Sequence, residues 1–160
     1  MKEKKKSSQK EEVKDEKKFG VGILVCIFNP DFSKILLIKR NKEKREKYGF
    51  DWGNVGGKLE FGELSKDGIL REALEEIGVK INKSRLKLTF VKEFPNFFKN
   101  FHGFQWVYST ILPENTKIKI NKESDEYSWF DINNLPKSML DSKEDITEIL
   151  NKTKKMFKVK

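Results

Sequence analysis

Apolar positions along the chain fall into short runs separated by charged or glycine- and asparagine-rich stretches. Gly20 to Phe28 (GVGILVCIF) is almost continuously apolar and rich in β-branched residues, the pattern of a buried strand. Asn29-Pro30-Asp31 is a turn signal, and Lys34 to Arg40 (KILLIKR) reads as a second strand, so the two are expected to form a hairpin. Asn41 to Asp51 reads as a charged loop. Trp52 to Glu63 holds four glycines and is expected to be a loop around a short strand. Ser65 to Ile77 has helical periodicity, with Ser65 expected as its N-cap, Asp67 in the first turn and Gly78 at the C′ position. Leu86 to Phe94 and Phe104 to Leu112 read as strands, Asn121 to Asp125 as a polar loop and Tyr127 to Asp131 as a short strand. Beyond Leu135-Pro136, apolar residues at Ile146, Ile149, Leu150 and Met156 predict an amphipathic terminal helix with a basic end. This order predicts an α/β (α+β) class with a mixed sheet.

Length and charge refine the picture. A chain of 160 residues suits one domain. The net charge of +9 invites a polyanion reading, but it is unevenly placed. Met1 to Lys18 holds eight lysines against five acids, and Asn151 to Lys160 holds five lysines and no acid. The rest, Phe19 to Leu150, carries only +1. The expected organisation is a disordered basic tail (1–18), a folded domain (19–150) and a basic helix end or tail (151–160). Tail charge of this kind predicts solubility rather than nucleic-acid binding. Cys26 is the one cysteine, which excludes an internal disulfide and argues against a cysteine zinc cage. No apolar run approaches a membrane span and no secretory signal pattern opens the chain, so the expected location is cytoplasmic.

The chemistry concentrates in Gly57 to Val79, GKLEFGELSKDGILREALEEIGV. Glu72, Glu75 and Glu76 stand at i, i+3, i+4 and share one helical face, while Ile69, Leu70, Ala73, Leu74 and Ile77 form an apolar stripe. A like-charge i, i+4 pair weakens a helix, and an ordinary solvated face would mix in lysine. Clustered hard oxygen ligands suit Mg²⁺ or Mn²⁺, which would turn the repulsion into attraction. Arg71 lies beside the acidic face, and Glu63 in the preceding loop is placed to pair with it. The plain alternative is a charged surface helix.

The spacing resembles the Nudix hydrolase signature: Gly57, then Glu63, Arg71-Glu72, Ala73 at an aliphatic slot, Glu75-Glu76, Gly78 and Val79. These are nine constrained positions over 23 residues. The resemblance extends to LLIKR before the motif and to Trp129-Phe130 and Leu135-Pro136 after it. It implies a Nudix-type α/β/α sandwich and Mg²⁺-dependent cleavage (Mn²⁺ as alternative) of a nucleoside diphosphate linked to another moiety. It also implies Glu72, Glu75 and Glu76 as metal ligands with the Gly57 carbonyl, and Arg71 with Glu63 as an orienting pair. The general base is left open between Glu72 and a downstream carboxylate, Glu123, Asp125 or Glu126. Arg40, at its strand end, is a candidate phosphate clamp or an ordinary surface arginine.

Two stretches lean toward nucleoside triphosphates. Trp52 to Glu63 (WGNVGGKLEFGE) is similar to the GGK loop of MutT-type and 8-oxo-dGTP diphosphatases, which makes Trp52, Asn54 and Lys58 substrate-binding candidates. Glu123 to Glu126 followed by Trp129-Phe130 and Leu135-Pro136 resembles the oxidised-purine triphosphatases, in which acidic side chains after the Leu-Pro read the base. Asp141 is the nearest match, although the Trp-Pro-Asp-Asp pattern of those enzymes is absent. Trp52, Phe94, Phe97, Phe98, Phe101, Phe104 and Trp106 could stack a base or fill core. Pro95 to Gly103 (PNFFKNFHG) reads as a loop, a candidate flap or dimer contact, and His102 as a loop histidine. The expected product is a nucleoside monophosphate with pyrophosphate, and the expected partner a small nucleotide, on a monomer or homodimer. Pro95 raises an ADP-ribose pyrophosphatase as alternative. A non-catalytic nucleotide- or RNA-binding Nudix module is the alternative of another class.

Overall fold

The computed structural model describes residues 16–158, so the tail expectation for Met1 to Asp15 lies outside the described residues. The elements run β1 (Lys18–Phe28), β2 (Lys34–Arg40), α1 (Lys42–Tyr48), β3 (Trp52–Gly53) and β4 (Val55–Lys58). They continue with α2 (Ser65–Ile77), a 3-10 turn (Lys83–Arg85), β5 (Lys87–Phe98), β6 (Phe101–Ile111), β7 (Ser124–Asp131) and α3 (Lys143–Met156). The strands form one sheet with the path β3-β2-β1-β6-β5, to which β4 joins at β1 and β7 at β2.

β1 is the axis of the molecule. It pairs antiparallel with β2 and β4 and parallel with β6 over its full length, from Lys18↔Phe101 to Phe28↔Ile111. A strand covered on both faces has no reason to alternate, which accounts for the unbroken apolar run. Ile23, Val25 and Ile27 face α2, together with Leu36, Ile38, Val55, Ile69, Ala73 and Ile77. Leu24, Cys26 and Phe28 face α3, with Ile35, Leu37, Val107, Ile146, Ile149 and Leu150. The mixed sheet between two helical layers is the expected fold class.

Several expectations are corrected. Asn41 to Asp51 is not a loop: Lys42–Tyr48 is helical, N-capped by the Asn41 side chain and closed by Gly49 in the left-handed conformation at φ 78°. An all-polar helix of this length leaves no apolar periodicity to detect. Ser65 does not cap α2. Leu64 occupies the N-cap position without a side-chain bond, and the Ser65 hydroxyl instead lies 2.6 Å from that of Tyr108. Leu74, assigned to the apolar stripe, is half exposed.

Pro95 to Gly103 is not a loop but the end of a hairpin. β5 runs to Phe98 and β6 resumes at Phe101, with Asn100 turning the chain at φ 60°. The side chains of Phe97 and Phe98 lie outside the description. The Phe101 ring packs where a Cβ on Gly20 would sit, and His102 lies between the rings of Phe19 and Phe104 with its Nε2 2.8 Å from Glu93. α3 starts at Lys143, earlier than Ile146, and continues past residue 150; Met156 is exposed rather than inward. Among the described residues no helix is long and apolar enough to cross a membrane.

Candidate active site

The site grows from the contact between β4 and α2. Gly56 and Gly57 pair with Leu24 and Ile23 on β1, so the glycine backbone lies flat on the central strand. A Cβ on Gly56 would collide with the Ile23 carbonyl and the Leu24 backbone. One on Gly57 would collide with the Glu72 carboxylate. The glycines are therefore required by close approach: strand on one side, an acidic side chain on the other.

The three carboxylates of α2 differ in environment. Glu76 is 6 % exposed and accepts a 2.9 Å hydrogen bond from the Gly56 N–H. Burial pushes its pKa up to about 7, and the Glu72 charge adds to the effect, against the pull of the Gly56 N–H, Lys44 and Arg40. Glu72 is largely covered, whereas the side chain of Glu75 is 55 % exposed. Arg71 knits the loop to the helix. Its Nε and Nη2 donate to Glu63 at 2.8 and 3.1 Å, Nη1 donates to Glu72 at 2.7 Å, and Nη2 also reaches the Lys58 carbonyl at 3.2 Å. Glu63 turns back to accept from the Glu60 N–H at 3.1 Å. Arg71 thereby holds the Glu63 carboxyl below its ordinary pKa, and Glu63 holds the guanidinium above its own. The expected Glu63–Arg71 pairing is present.

The donor set suits a hard divalent cation. The missing Cβ of Gly57 admits the Glu72 carboxylate against the β4 backbone, and a carboxylate with a backbone carbonyl is an all-oxygen set. Glu76 brings a second, buried carboxylate whose repulsion with Glu72 a cation would relieve. Glu72 is turned to Arg71 and Glu76 to Gly56, and among the described residues no three acidic, histidine or cysteine side chains converge on one point.

Arg40 is not a surface arginine. Its guanidinium lies 4.7 Å from the Phe50 ring centroid and 5.4 Å from that of Tyr48, and its buried Nε has no hydrogen-bond partner. Burial lowers its pKa, while Glu76 and Glu123 act to raise it. The downstream carboxylates are each tied to a cation: Glu123 to Lys44 at 2.5 Å, Asp125 to Arg45 at 2.6 Å and Glu126 to Lys39 at 3.6 Å. Two of those cations come from α1. The helix missing from the sequence reading thus holds the acidic start of β7 beside Arg40.

A second polar group lies on the α3 side of the sheet. Asn54, 5 % exposed, donates from Nδ2 to Asp141 at 2.9 Å, and its buried Oδ1 has no partner. Asp141, 3 % exposed, also accepts from Lys92 at 2.8 Å, and Lys92 continues to Asp145 at 2.7 Å. Burial works against the Lys92 charge, but the two aspartates outweigh it and raise its pKa. Asp141 lines a cavity of about 440 Å³ formed by the chain from Asn133 to Lys143. Trp52 packs edge-on against Phe130 at 4.7 Å, and Lys58 is exposed at the end of β4. Lys92 is a residue the sequence reading missed. Its only signal is a lysine amid the apolar and aromatic residues of β5, which periodicity alone does not distinguish from a solvated position.

Comparison with known proteins finds relatives of the chain in sequence and in fold. The NUDIX domain model matches residues 18–150. The uncharacterised Nudix hydrolase YvcI of Bacillus subtilis (strain 168) is 27 % identical over 113 residues, covering 69 % of this chain; the chain spans 65 % of that relative's length. The crystal structure of a MutT NUDIX hydrolase from Burkholderia pseudomallei superposes with a TM-score of 0.65 at 23 % identity, covering 82 % of this chain and 96 % of that one. A MutT protein from Methanosarcina mazei Go1 gives 0.62 at 21 % identity, covering 90 % and 99 %. At these identities the two structures establish the shared fold.

Proposed function

Because the chain belongs to the Nudix hydrolase family, whose members are enzymes that act on phosphoanhydride bonds of nucleoside diphosphate-linked substrates, we propose that it is a divalent-metal-dependent pyrophosphohydrolase. Its proposed substrates are (deoxy)nucleoside triphosphates, oxidised ones included, and its products the monophosphate and pyrophosphate. The observation that carries this reading is the buried Glu76 carboxylate beside Glu72 on the glycine backbone. A binding module has no use for such an arrangement, since a buried acid near a second acid costs stability without a cation.

Glu72, Glu75, Glu76 and the Gly57 carbonyl would hold Mg²⁺. Bound there, Mg²⁺ would offset the charge of the diphosphate and lower the pKa of water. The protein's own part is positional. Glu63 fixes Arg71, and Arg71 holds Glu72 Oε1, which leaves Oε2 as the candidate proton acceptor. Arg40, held against two rings, supplies positive potential toward the phosphates from a largely buried side chain. Trp52, Lys58 and the Asn54–Asp141–Lys92 group, of which Asp141 lines the cavity, are assigned to the nucleoside side. Glu123 and Glu126, held by Lys44 and Lys39, remain the competing proton acceptors.

The test is hydrolysis of dGTP, 8-oxo-dGTP, ADP-ribose and capped RNA, compared by kcat/KM with Mg²⁺ and with Mn²⁺. The expected result is metal-dependent release of pyrophosphate, highest for a triphosphate. A preference for ADP-ribose would overturn the substrate assignment, and undiminished turnover in Glu76→Gln would overturn the metal assignment.

A further inference from the structure

By sequence, the C-terminal lysines form a tail apart from a neutral domain. In the fold the end of α3 meets a second run without acids. Lys80 to Lys87 (KINKSRLK) contains four cations and no carboxylate, and its end lies against the end of α3. The Arg85 guanidinium is 5.6 Å and the Lys87 ammonium 6.0 Å from the ring centroid of Phe157. Farther back along α3, the Lys152 ammonium lies 4.4 Å from the ring centroid of Phe90, and that of Lys92 lies 5.9 Å from it. Cations and half-buried rings thus alternate along the seam between α3 and β5.

β5 ends the sheet path, so the seam opens at an edge of the molecule. Among the described residues Lys152 pairs with Glu148 and Lys92 with Asp141 and Asp145, whereas Arg85, Lys87, Lys154, Lys155 and Lys158 show no carboxylate partner. Lysines at a helix C-terminus complement its dipole, which accounts for Lys154 and Lys155 but not for Arg85 and Lys87 on a different segment. Positive charge at intervals with aromatic faces between is the pattern that takes phosphates and bases together. A membrane is the poorer fit, because α3 spends its apolar face, Ile146, Ile149 and Leu150, on the sheet.

We propose that the α3–β5 seam binds single-stranded nucleic acid. Phosphates meet Arg85, Lys87 and Lys152, and bases lie against Phe157 and Phe90. This goes beyond the hydrolase reading and does not depend on it.

The test uses the full chain, a fluorescein-labelled twelve-nucleotide oligouridylate and anisotropy in EDTA between 50 and 200 mM NaCl. The expected result is binding that weakens steeply with salt. Arg85→Gln/Lys87→Gln should lower affinity at least tenfold and flatten the salt slope, while leaving dGTP hydrolysis unchanged. Phe157→Leu keeps an apolar side chain for packing, and should weaken oligouridylate severalfold without changing the binding of inorganic polyphosphate. Thermal melts verify that the variants are folded. Equal affinity of wild type and Arg85→Gln/Lys87→Gln would overturn the proposal, as would phosphatidylserine vesicles or polyphosphate bound as tightly as the oligonucleotide.

Discussion

Glu76 concentrates the energetic tension of the site in one residue. Its folded pKa, about 7, lies above the ordinary value of 4.5. A raised acid favours the folded state while it is protonated, so this contribution is complete below about pH 4.5 and is lost as pH rises through 7. In EDTA, wild type should therefore lose on the order of 2–3 kcal/mol relative to Glu76→Gln between pH 4.5 and 8, measured by urea unfolding. A wild-type-minus-variant difference that does not move with pH would exclude burial as the cause. The same glutamine keeps an acceptor for the Gly56 N–H but removes an anionic ligand, so kcat should fall by roughly 10²-fold or more with the fold intact. Gly57→Ala makes a complementary case: its Cβ displaces a flexible carboxylate, not backbone. Turnover should drop at least about tenfold while Tm stays within a few degrees. A large Tm loss with normal kcat would mean that Gly57 matters only to the sheet.

At the scale of elements, the helices divide by how they are specified. α2 is specified by its own apolar stripe and by Gly78, left-handed at φ 68°, which closes it with bonds to Ala73 and Leu74 carbonyls. Both features are legible in sequence, as is Glu63–Arg71, because a short loop leaves that pair little choice of partner. α1 has no buried residue at all. It is held by Asn41, whose side chain caps the helix through Lys44 N–H and reaches the Lys122 carbonyl, and by Lys44 and Arg45 bound to the start of β7. These partners are about 80 positions away in the chain, so local pattern cannot reveal them. Asn41→Ala should cost about 1 kcal/mol by losing the cap. It should also raise KM for nucleotide more than it lowers kcat, since α1 positions the acids beside Arg40 without touching the α2 carboxylates. Unchanged steady-state kinetics would limit α1 to a surface role.

For the whole molecule, metal binding and stability are one equilibrium. A cation that binds only the folded chain stabilises it by about 2.7 kcal/mol at a hundred times its dissociation constant. Mg²⁺ should raise the Tm of wild type by several degrees and that of Glu76→Gln by little. An equal rise in both would place the cation elsewhere. The sequence by itself determined the mixed-sheet class, the central strand and the α2 motif, because these rest on periodicities and spacings within a few turns of chain. Only the tertiary structure decided which acids are buried, since Glu72, Glu75 and Glu76 look alike along a helix and differ only in what packs against them. It also joined Asn54, Lys92 and Asp141, and brought Phe157 at the end of α3 to Arg85 and Lys87. Charge and hydrogen bonding act through space, and their partners here come from segments far apart in the chain.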